Sequence, residues 1–183
     1  MIDSAASIYK VNISNFLESQ NTKQLFKFLE SMEVSEVKSV KLLTEIKNIY
    51  VKRLLNNVNY HCKLIAETDY AKTLNVEFEQ TKWIREPELV KWNPGSSLDE
   101  HMDGPGRIPP PDLTIGGLVY LNDDYDGGEL TFPEYGVTIK PVAGDLVFFP
   151  CHFLHKVETI TGDKYRYTLP LFYTFKCKEI NNV

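Results

Sequence analysis

The sequence contains little cysteine, and its few cysteines are far apart. Cys62, Cys151 and Cys177 are the three cysteines of a chain of 183 residues. They are too few for a disulfide framework and too scattered for a zinc cluster. We therefore expect reduced thiols.

Excess basic charge and long apolar runs are also absent. Twenty Lys and Arg against twenty-five Asp and Glu give a formal net charge of −5. This balance disfavours a general binder of nucleic acid or anionic membranes, because neutralising phosphate requires a basic surface. No apolar run reaches the roughly 18 residues of a membrane span, and residues 1–14 lack the apolar core of a signal peptide. These features predict a cytoplasmic protein.

The pattern of apolar residues changes near residue 75. Before it, apolar residues recur at helical spacing and predict a helical part over about 14–74, including one long run over about 36–66 with a break near Asn56. After it, short segments alternate with turn residues such as Gly127-Gly128. The predicted strands are 76–82, 87–93, 98–103, 113–121, 128–132, 136–140, 145–149, 154–158 and 164–175.

Helices followed by eight or nine short strands predict the α+β fold class. We expect a double-stranded β-helix (jelly roll) with the N-terminal helices packed on one sheet. A hydrophobic content of 43% suits a single domain over 1–183. Its jelly-roll core would cover about 76–176.

One of the four histidines lies two positions before an aspartate, in His101-Met102-Asp103. On a strand, residues i and i+2 point to the same face, so this motif presents an imidazole and a carboxylate together. One further imidazole from a distant strand would complete the two-His-one-carboxylate set of non-haem Fe(II) oxygenases, which leaves three metal positions open. A lone His-x-Asp is common, so its context decides its meaning.

The context consists of further motifs in a fixed order. They are Trp92-Asn93-Pro94-Gly95, Gly117-Leu118-Val119-Tyr120-Leu121-Asn122, Asp126-Gly127-Gly128-Glu129, Gly144-Asp145-Leu146-Val147-Phe148-Phe149-Pro150, His155-Lys156-Val157 and Arg166-Tyr167-Thr168-Leu169. In order and spacing they resemble the core of the prolyl 4-hydroxylase-like 2-oxoglutarate/Fe(II)-dependent dioxygenase family. The resemblance covers about residues 88–175.

The resemblance implies His101, Asp103 and His155 as metal ligands and as part of the catalytic set. His152 is the rival for the third position. The family places its distal histidine a few residues beyond a Phe-Pro pair and directly before x-Val, which favours His155. His61 falls in the helical part, where a histidine in packing contact is the simpler interpretation.

The family also binds the far carboxylate of 2-oxoglutarate with a basic residue about ten positions after the distal histidine. Arg166 lies eleven positions on and has the family's context, whereas Lys164 lies nine positions on. We favour Arg166 as the catalytic and co-substrate-binding cation and keep Lys164 as the alternative. Tyr120 matches a family tyrosine that helps to hold the same carboxylate, and equally suits a core aromatic. Trp92 stands where the family commonly has Tyr, which alters any hydrogen bond made there, because an indole offers one donor and no acceptor.

The implied function is hydroxylation of prolyl residues in a peptide or protein. Fe(II) is the implied cofactor, 2-oxoglutarate and O2 are co-substrates, and ascorbate is a candidate reductant. The alternatives are a hydroxylase of a free amino acid, a small metabolite or another protein side chain, and an inactive jelly-roll binding module. No nucleic-acid or membrane partner is expected, and the oligomeric state is left open.

Prolines also mark two positions in the strand-rich part of the chain. Pro170 interrupts the last predicted strand and predicts an edge or a kink there, because proline lacks a backbone donor. The Pro-rich segment 104–111, with Arg107, predicts either a simple connection or a wall over the metal, and the connection is favoured.

Overall fold

The computed structural model describes residues 4–83, 86–104 and 112–179, with side chains omitted at 79–83, 112 and 177–179. Residues 105–111 of the predicted Pro-rich segment, which include Arg107, and the thiol of Cys177 therefore lie outside the described part. Within the described residues, no helix combines the length and apolar character needed to cross a membrane.

The α-helices of the described residues lie within the first 75 positions. They are α1 (Ser14–Ser19), α2 (Lys23–Ser31), α3 (Ile49–Ile65) and α4 (Ala71–Leu74), with a π-helical turn at Ala66–Tyr70 between α3 and α4. Asn48 caps α3, because its side-chain oxygen accepts the backbone N–H groups of Tyr50 and Val51 at 3.1 and 3.2 Å. The helical series ends at Asn75, whose φ of 56° is left-handed.

The strands pair antiparallel in every described ladder. They are β1 (Tyr9–Asn12), β2 (Lys38–Leu42), β3 (Val76–Trp83), β4 (Glu88–Trp92), β5 (Leu98–His101), β6 (Asp112–Tyr120), β7 (Asp126–Gly127), β8 (Leu130–Phe132), β9 (Val137–Ile139), β10 (Asp145–Pro150), β11 (His155–Val157), β12 (Ile160–Thr161) and β13 (Arg166–Glu179). The larger sheet has the order β1-β10-β6-β13-β4-β2, with β3 also on β13. The smaller sheet is β5-β11-β8-β9, and β12 pairs with β7.

Two apolar clusters organise the interior. One contains side chains of the helices, such as Leu29 and Leu55, together with Val119 and Leu171 of the larger sheet. The Tyr173 hydroxyl in β13 also donates to Asn59 Oδ1 of α3 at 2.8 Å. The other cluster fills the space between the two sheets with residues of β6, β8 and β10, namely Tyr120, Leu130, Phe132, Val147 and Phe149, and with Phe153.

Mixed helices and antiparallel sheets confirm the predicted α+β class, and nine of the strands fall on predicted segments. The continuous helix over about 36–66 is wrong, because Lys38–Leu42 forms β2 and α3 begins only at Ile49. The predicted break near Asn56 is also wrong, since α3 runs through that position. The strand predicted over 164–175 begins at Arg166 instead.

Pro170 lies in a strand that is central in the larger sheet, and the predicted edge is present only locally. On one side, β13 pairs with β4 through Arg166–Thr168 and with β3 from Tyr173 onward. Pro170 lies in the interval between these two partners. In the described part of the chain no strand pairs with that side of the interval, so the missing N–H is tolerated there.

Candidate active site

Three side chains converge where β5 and β11 meet. His155 is paired directly opposite His101 in the antiparallel ladder, and Asp103 follows two positions after His101. His101 Nε2 lies 3.5 Å from Asp103 Oδ1, and His155 Nε2 lies 3.5 Å from Asp103 Oδ2. One potential ligand atom from each residue lies within 4.8 Å of the other two. This spacing allows one metal ion to contact all three.

Each imidazole is also held by a contact at Nδ1, the ring nitrogen that does not face Asp103. His101 Nδ1 lies 2.8 Å from the carbonyl of Asp99, and His155 Nδ1 lies 2.9 Å from the carbonyl of Phe153. A carbonyl only accepts, so Nδ1 carries the proton and Nε2 presents a lone pair in the neutral ring. Hydrogen bonds of this kind fix the orientation of metal-binding histidines.

The electrostatics of the two histidines differ because their burial differs. The hydrogen bond to Asp103 is the main cause that raises the pKa of His101. Burial lowers the pKa of His155, with the negative charge of Asp103 acting in the opposite direction. His155 is therefore held as the neutral imidazole that a metal requires.

A cavity of about 340 Å³ opens next to the triad and reaches Arg166. The Arg166 side chain is 0% exposed, and among the described residues its three guanidinium nitrogens have no hydrogen-bond partner. The guanidinium carbon lies 5.0 Å from the ring centroid of Tyr120 and 5.1 Å from that of Trp92. Two aromatic faces thus surround the cation without neutralising its charge.

Arg166 and Lys164 occupy different environments. Arg166 is the first residue of β13 and lines the cavity, whereas Lys164 precedes the strand and is exposed. Of the two predicted cations, only Arg166 lines the cavity that contains the triad. This geometry favours Arg166 over Lys164.

The two predicted aromatic residues also lie beside Arg166. The Tyr120 hydroxyl is buried and has no hydrogen-bond partner in the described residues. The indole N–H of Trp92 donates to Thr168 Oγ1 at 3.0 Å. Since an indole has a single donor, Trp92 offers the cavity its ring face and no hydrogen bond.

Sequence reasoning missed Tyr125, whose hydroxyl is also buried and unpartnered within the described chain. Burial raises the pKa of Tyr125 to about 12, and the positive charge of Arg166 opposes this rise. The hydroxyl therefore keeps its proton and can donate. No periodicity or motif marks Tyr125, because it lies in the connection between β6 and β7.

Sequence reasoning also missed Lys38, which was assigned to a helix. It lies at the start of β2 opposite Trp92, lines the same cavity, and places its ammonium 4.5 Å from the Trp92 ring centroid. Only the pairing of β2 with β4 brings it there.

The other two histidines lie outside the triad. His152 is half-buried and contacts the edge of the Phe153 ring, with centroids 5.2 Å apart. His61 stacks on Phe16 at 3.9 Å in the helical part. Neither belongs to the group of potential metal ligands found among the described residues.

The residues present fit a metal and an acidic ligand. Two imidazoles and one carboxylate on adjoining strands form the donor set of mononuclear Fe(II) sites that retain open positions. A buried, unpartnered guanidinium with two unpartnered hydroxyls suits a carboxylate, which accepts several hydrogen bonds at once. Fold and site together define the class of non-haem iron oxygenases.

Comparison with known proteins finds a family model that matches the part of the chain that contains the site. The model of the 2OG-Fe(II) oxygenase superfamily matches residues 87–174, which include the triad and Arg166. The match covers just under half of the chain, and the name of the superfamily states the use of 2-oxoglutarate and Fe(II).

Curated relatives match over shorter segments. A PKHD-type hydroxylase of Cupriavidus pinatubonensis is 37% identical over 84 residues, which are 41% of this chain and 37% of that protein. Another, from Sphingopyxis alaskensis, is 28% identical over 125 residues, covering 60% of this chain and 57% of that protein. The chain thus matches only about two fifths to three fifths of the length of these hydroxylases.

Solved structures match over most of the chain. A viral collagen prolyl hydroxylase from Paramecium Bursaria Chlorella virus-1, in its 2-oxoglutarate complex, has a TM-score of 0.68 at 14% identity and covers 92% of this chain and 95% of its own. A prolyl hydroxylase from Trichoplax adhaerens has a TM-score of 0.65 at 14% identity, covering 94% of this chain and 84% of its own. At such identity the likeness concerns the fold alone, and it supports the predicted jelly roll.

Proposed function

We propose that this chain is a 2-oxoglutarate- and O2-dependent Fe(II) hydroxylase that acts on prolyl residues in a peptide or protein. The observation that carries this proposal is Arg166, a buried guanidinium without a hydrogen-bond partner among the described residues, in the same cavity as the triad. An inactive jelly roll has no need of both features together.

His101, Asp103 and His155 would hold the iron. When bound, Fe(II) supplies activation of O2 coupled to oxidative decarboxylation of 2-oxoglutarate, which yields succinate and a hydroxylated product. The carbonyls of Asp99 and Phe153 keep both imidazoles turned toward the metal position. Asp103 is fixed through its backbone N–H, which donates to the carbonyl of Cys151 at 3.0 Å.

Arg166 would bind the far carboxylate of 2-oxoglutarate. Burying an unpaired cation costs several kcal/mol, and a bound carboxylate offsets that cost through charge-assisted hydrogen bonds. The hydroxyls of Tyr120 and Tyr125 would donate to the same carboxylate, which gives partners to these buried, unpartnered groups. The Trp92 ring would form a wall of this subsite without donating.

Apolar side chains would keep water away from the reacting atoms. The cavity wall includes Val90, Leu98, Leu118, Leu130, Phe149 and Val157. Excluding water strengthens the electrostatic contacts inside the cavity and limits side reactions. We also propose that the N-terminal helices back the larger sheet, which the apolar cluster common to α2, α3, β6 and β13 supports.

The prolyl substrate is supported by what the similar proteins are named. Two structures with the same fold are prolyl hydroxylases, and the curated relatives are PKHD-type hydroxylases. A free amino acid, a small metabolite or another protein side chain remain the alternative substrates.

The test supplies Fe(II), 2-oxoglutarate, ascorbate and O2 to the purified protein with proline-containing peptides, free proline and proline-free peptides. We expect succinate together with a product heavier by one oxygen on proline, and neither with Asp103→Ala. Oxygen on another residue would redirect the substrate assignment. No succinate from any mixture, with folded and iron-loaded protein, would contradict the hydroxylase.

A further inference from the structure

Lys38 belongs to a row of side chains that crosses three strands. In the ladders of the larger sheet, Lys38 of β2 is opposite Trp92 of β4, and Trp92 is opposite Arg166 of β13. Directly opposed residues present their side chains on the same face. All three side chains line the cavity beside the triad.

The two cations of this row lie at different depths. The Arg166 side chain is fully buried, whereas Lys38 is half-buried and so lies nearer to solvent. Both contact the ring of Trp92, with the Lys38 ammonium 4.5 Å and the Arg166 guanidinium carbon 5.1 Å from its centroid. A ligand held by Arg166 therefore leaves Lys38 facing the outer part of the cavity.

Within the described part of the chain, the Lys38 ammonium contacts an aromatic ring and has no acidic partner. Among the residues that the structure describes, no carboxylate lies within ion-pair distance of it, and its contact is the Trp92 face. Burial lowers the pKa of Lys38, while the negative charges of Glu88 and Asp103 partly oppose this. A partly desolvated ammonium over an aromatic ring gains from a bound anion.

The charges of the proposed machinery balance without Lys38. A divalent iron cancels the two charges of 2-oxoglutarate, and Asp103 cancels Arg166. Of the charged residues known to line the cavity, Lys38 and Glu88 then remain. These two charges sum to zero, but no ion pair joins them, so the Lys38 ammonium is available to the second substrate, and Glu88 on the same wall disfavours an anion of higher charge than a carboxylate.

We propose, on the basis of the proposed function, that Lys38 binds a carboxylate of the primary substrate and thereby determines the enzyme's specificity for that substrate. The substrate class is then a proline compound that carries a carboxylate close to the reacting ring. That carboxylate has two possible sources: an acidic side chain beside a prolyl residue, or the free carboxylate of proline or of a peptide C-terminus.

The experiment compares wild type, Lys38→Ala, Lys38→Gln and Lys38→Glu. Lys41 supplies the matched control, because it lies in the same strand and alternation turns it to the other face. In one set of peptides, the proline lies inside the peptide and has Glu, Gln or Lys as its neighbour. Another compares free proline and a C-terminal proline peptide with their amides. Product formation is measured as kcat/KM, and binding is measured by calorimetry on anaerobic protein loaded with Mn(II) and 2-oxoglutarate.

We expect wild type and Lys41→Ala to prefer one carboxylate form over its neutral counterpart by about tenfold or more, since a hydrogen bond to a charged group contributes about 1.5–3 kcal/mol. Lys38→Ala and Lys38→Gln should lose this preference, and Lys38→Glu should favour the Lys peptide. A preference for the Glu peptide identifies a side-chain carboxylate, and a preference for free over amidated termini identifies a main-chain one.

Failure of this inference is separate from failure of the proposed function. If wild type forms succinate and hydroxylated product but shows no carboxylate preference, or if Lys38→Glu retains it, Lys38 does not select the substrate. If no succinate forms at all, the proposed function falls. The calorimetric comparison then still decides Lys38, because equal binding of carboxylate and amide forms would overturn its role.

Discussion

Arg166 places a guanidinium in the interior, where none of its nitrogens has a hydrogen-bond partner among the described residues. Such a group is destabilising by itself, since a buried charge loses its hydration. Aromatic contacts with Trp92 and Tyr120 offset only part of that cost. The carboxylate that we propose Arg166 binds would explain a residue of this kind.

Replacing Arg166 by Met should therefore separate binding from stability. We expect affinity for 2-oxoglutarate to fall about ten- to hundredfold, because a charge-assisted contact of about 1.5–3 kcal/mol is lost. The ligand-free protein should not lose stability, because an unpaired buried charge is removed. Calorimetry with 2-oxoglutarate and urea denaturation measure the two effects. Lys164→Met, at an exposed position, is the control. An equal loss of affinity in both variants would contradict the assignment to Arg166.

Tyr125 should contribute to the same subsite through its hydroxyl. Tyr125→Phe should weaken 2-oxoglutarate binding about three- to tenfold, the range expected for one hydrogen bond of about 0.5–1.5 kcal/mol. Because burial raises the pKa of Tyr125 to about 12, the hydroxyl stays protonated well beyond the usual tyrosine value of about 10. The ratio of wild-type to variant affinity should thus stay constant from neutral pH to about pH 10. A ratio that collapses near pH 10 would contradict the role of a buried donor.

His152 and His155 lie three positions apart and give a matched pair of variants. His155→Ala should abolish iron-dependent turnover and lower the iron content, because it removes one of the three proposed ligands. His152→Ala should keep most of both, since His152 lies outside the triad. Iron analysis and succinate formation measure this. The reverse ranking would contradict the ligand assignment.

At the scale of elements, β2 shows why part of the site could not be predicted from sequence. Val37, Val40 and Leu43 recur every three residues and fit a helical stripe, yet Lys38–Leu42 is a strand. The conformation of such a short segment depends more on the strand it pairs with than on its own apolar pattern. That strand, β4, lies about 50 positions further along the chain. Lys38 was consequently missed, and it enters the cavity only through this pairing.

The ladder between β2 and β4 allows a test within that element. The Asn93 N–H donates to the Val37 carbonyl and the Leu43 N–H to the Pro87 carbonyl. Hydrogen-bonded pairs alternate along an antiparallel ladder. The Ser39 N–H therefore faces β4, and the Val40 N–H faces the free edge of the sheet.

Ser39→Pro should accordingly destabilise the protein by about 1–3 kcal/mol more than Val40→Pro, because only the former removes a ladder donor. Ser39→Ala controls for the hydroxyl, which donates to the carbonyl of Glu33. Urea denaturation provides the free energies of unfolding. Equal costs at the two positions would contradict the pairing of β2 with β4.

At the scale of the whole molecule, the strands from β3 onward were largely predictable and the completed cavity was not. Each strand of the core carries its own alternation and turn signals, and the motif order around His101 and His155 indicated the jelly roll. Tyr125 and Lys38 carry no local signal, because their importance comes from burial and from neighbours distant in sequence. Contacts between segments that are distant in sequence bring both residues to the site.

The central claim is that this fold assembles one metal and co-substrate site from residues spread over much of the chain. The most direct measurement adds Fe(II) and 2-oxoglutarate to metal-free protein without oxygen and records the visible metal-to-ligand charge-transfer band. We expect the band with wild type and its loss with Asp103→Ala, since the carboxylate between the two imidazoles is removed. Folded wild-type protein that never develops the band, or an undiminished band in Asp103→Ala, would contradict the account.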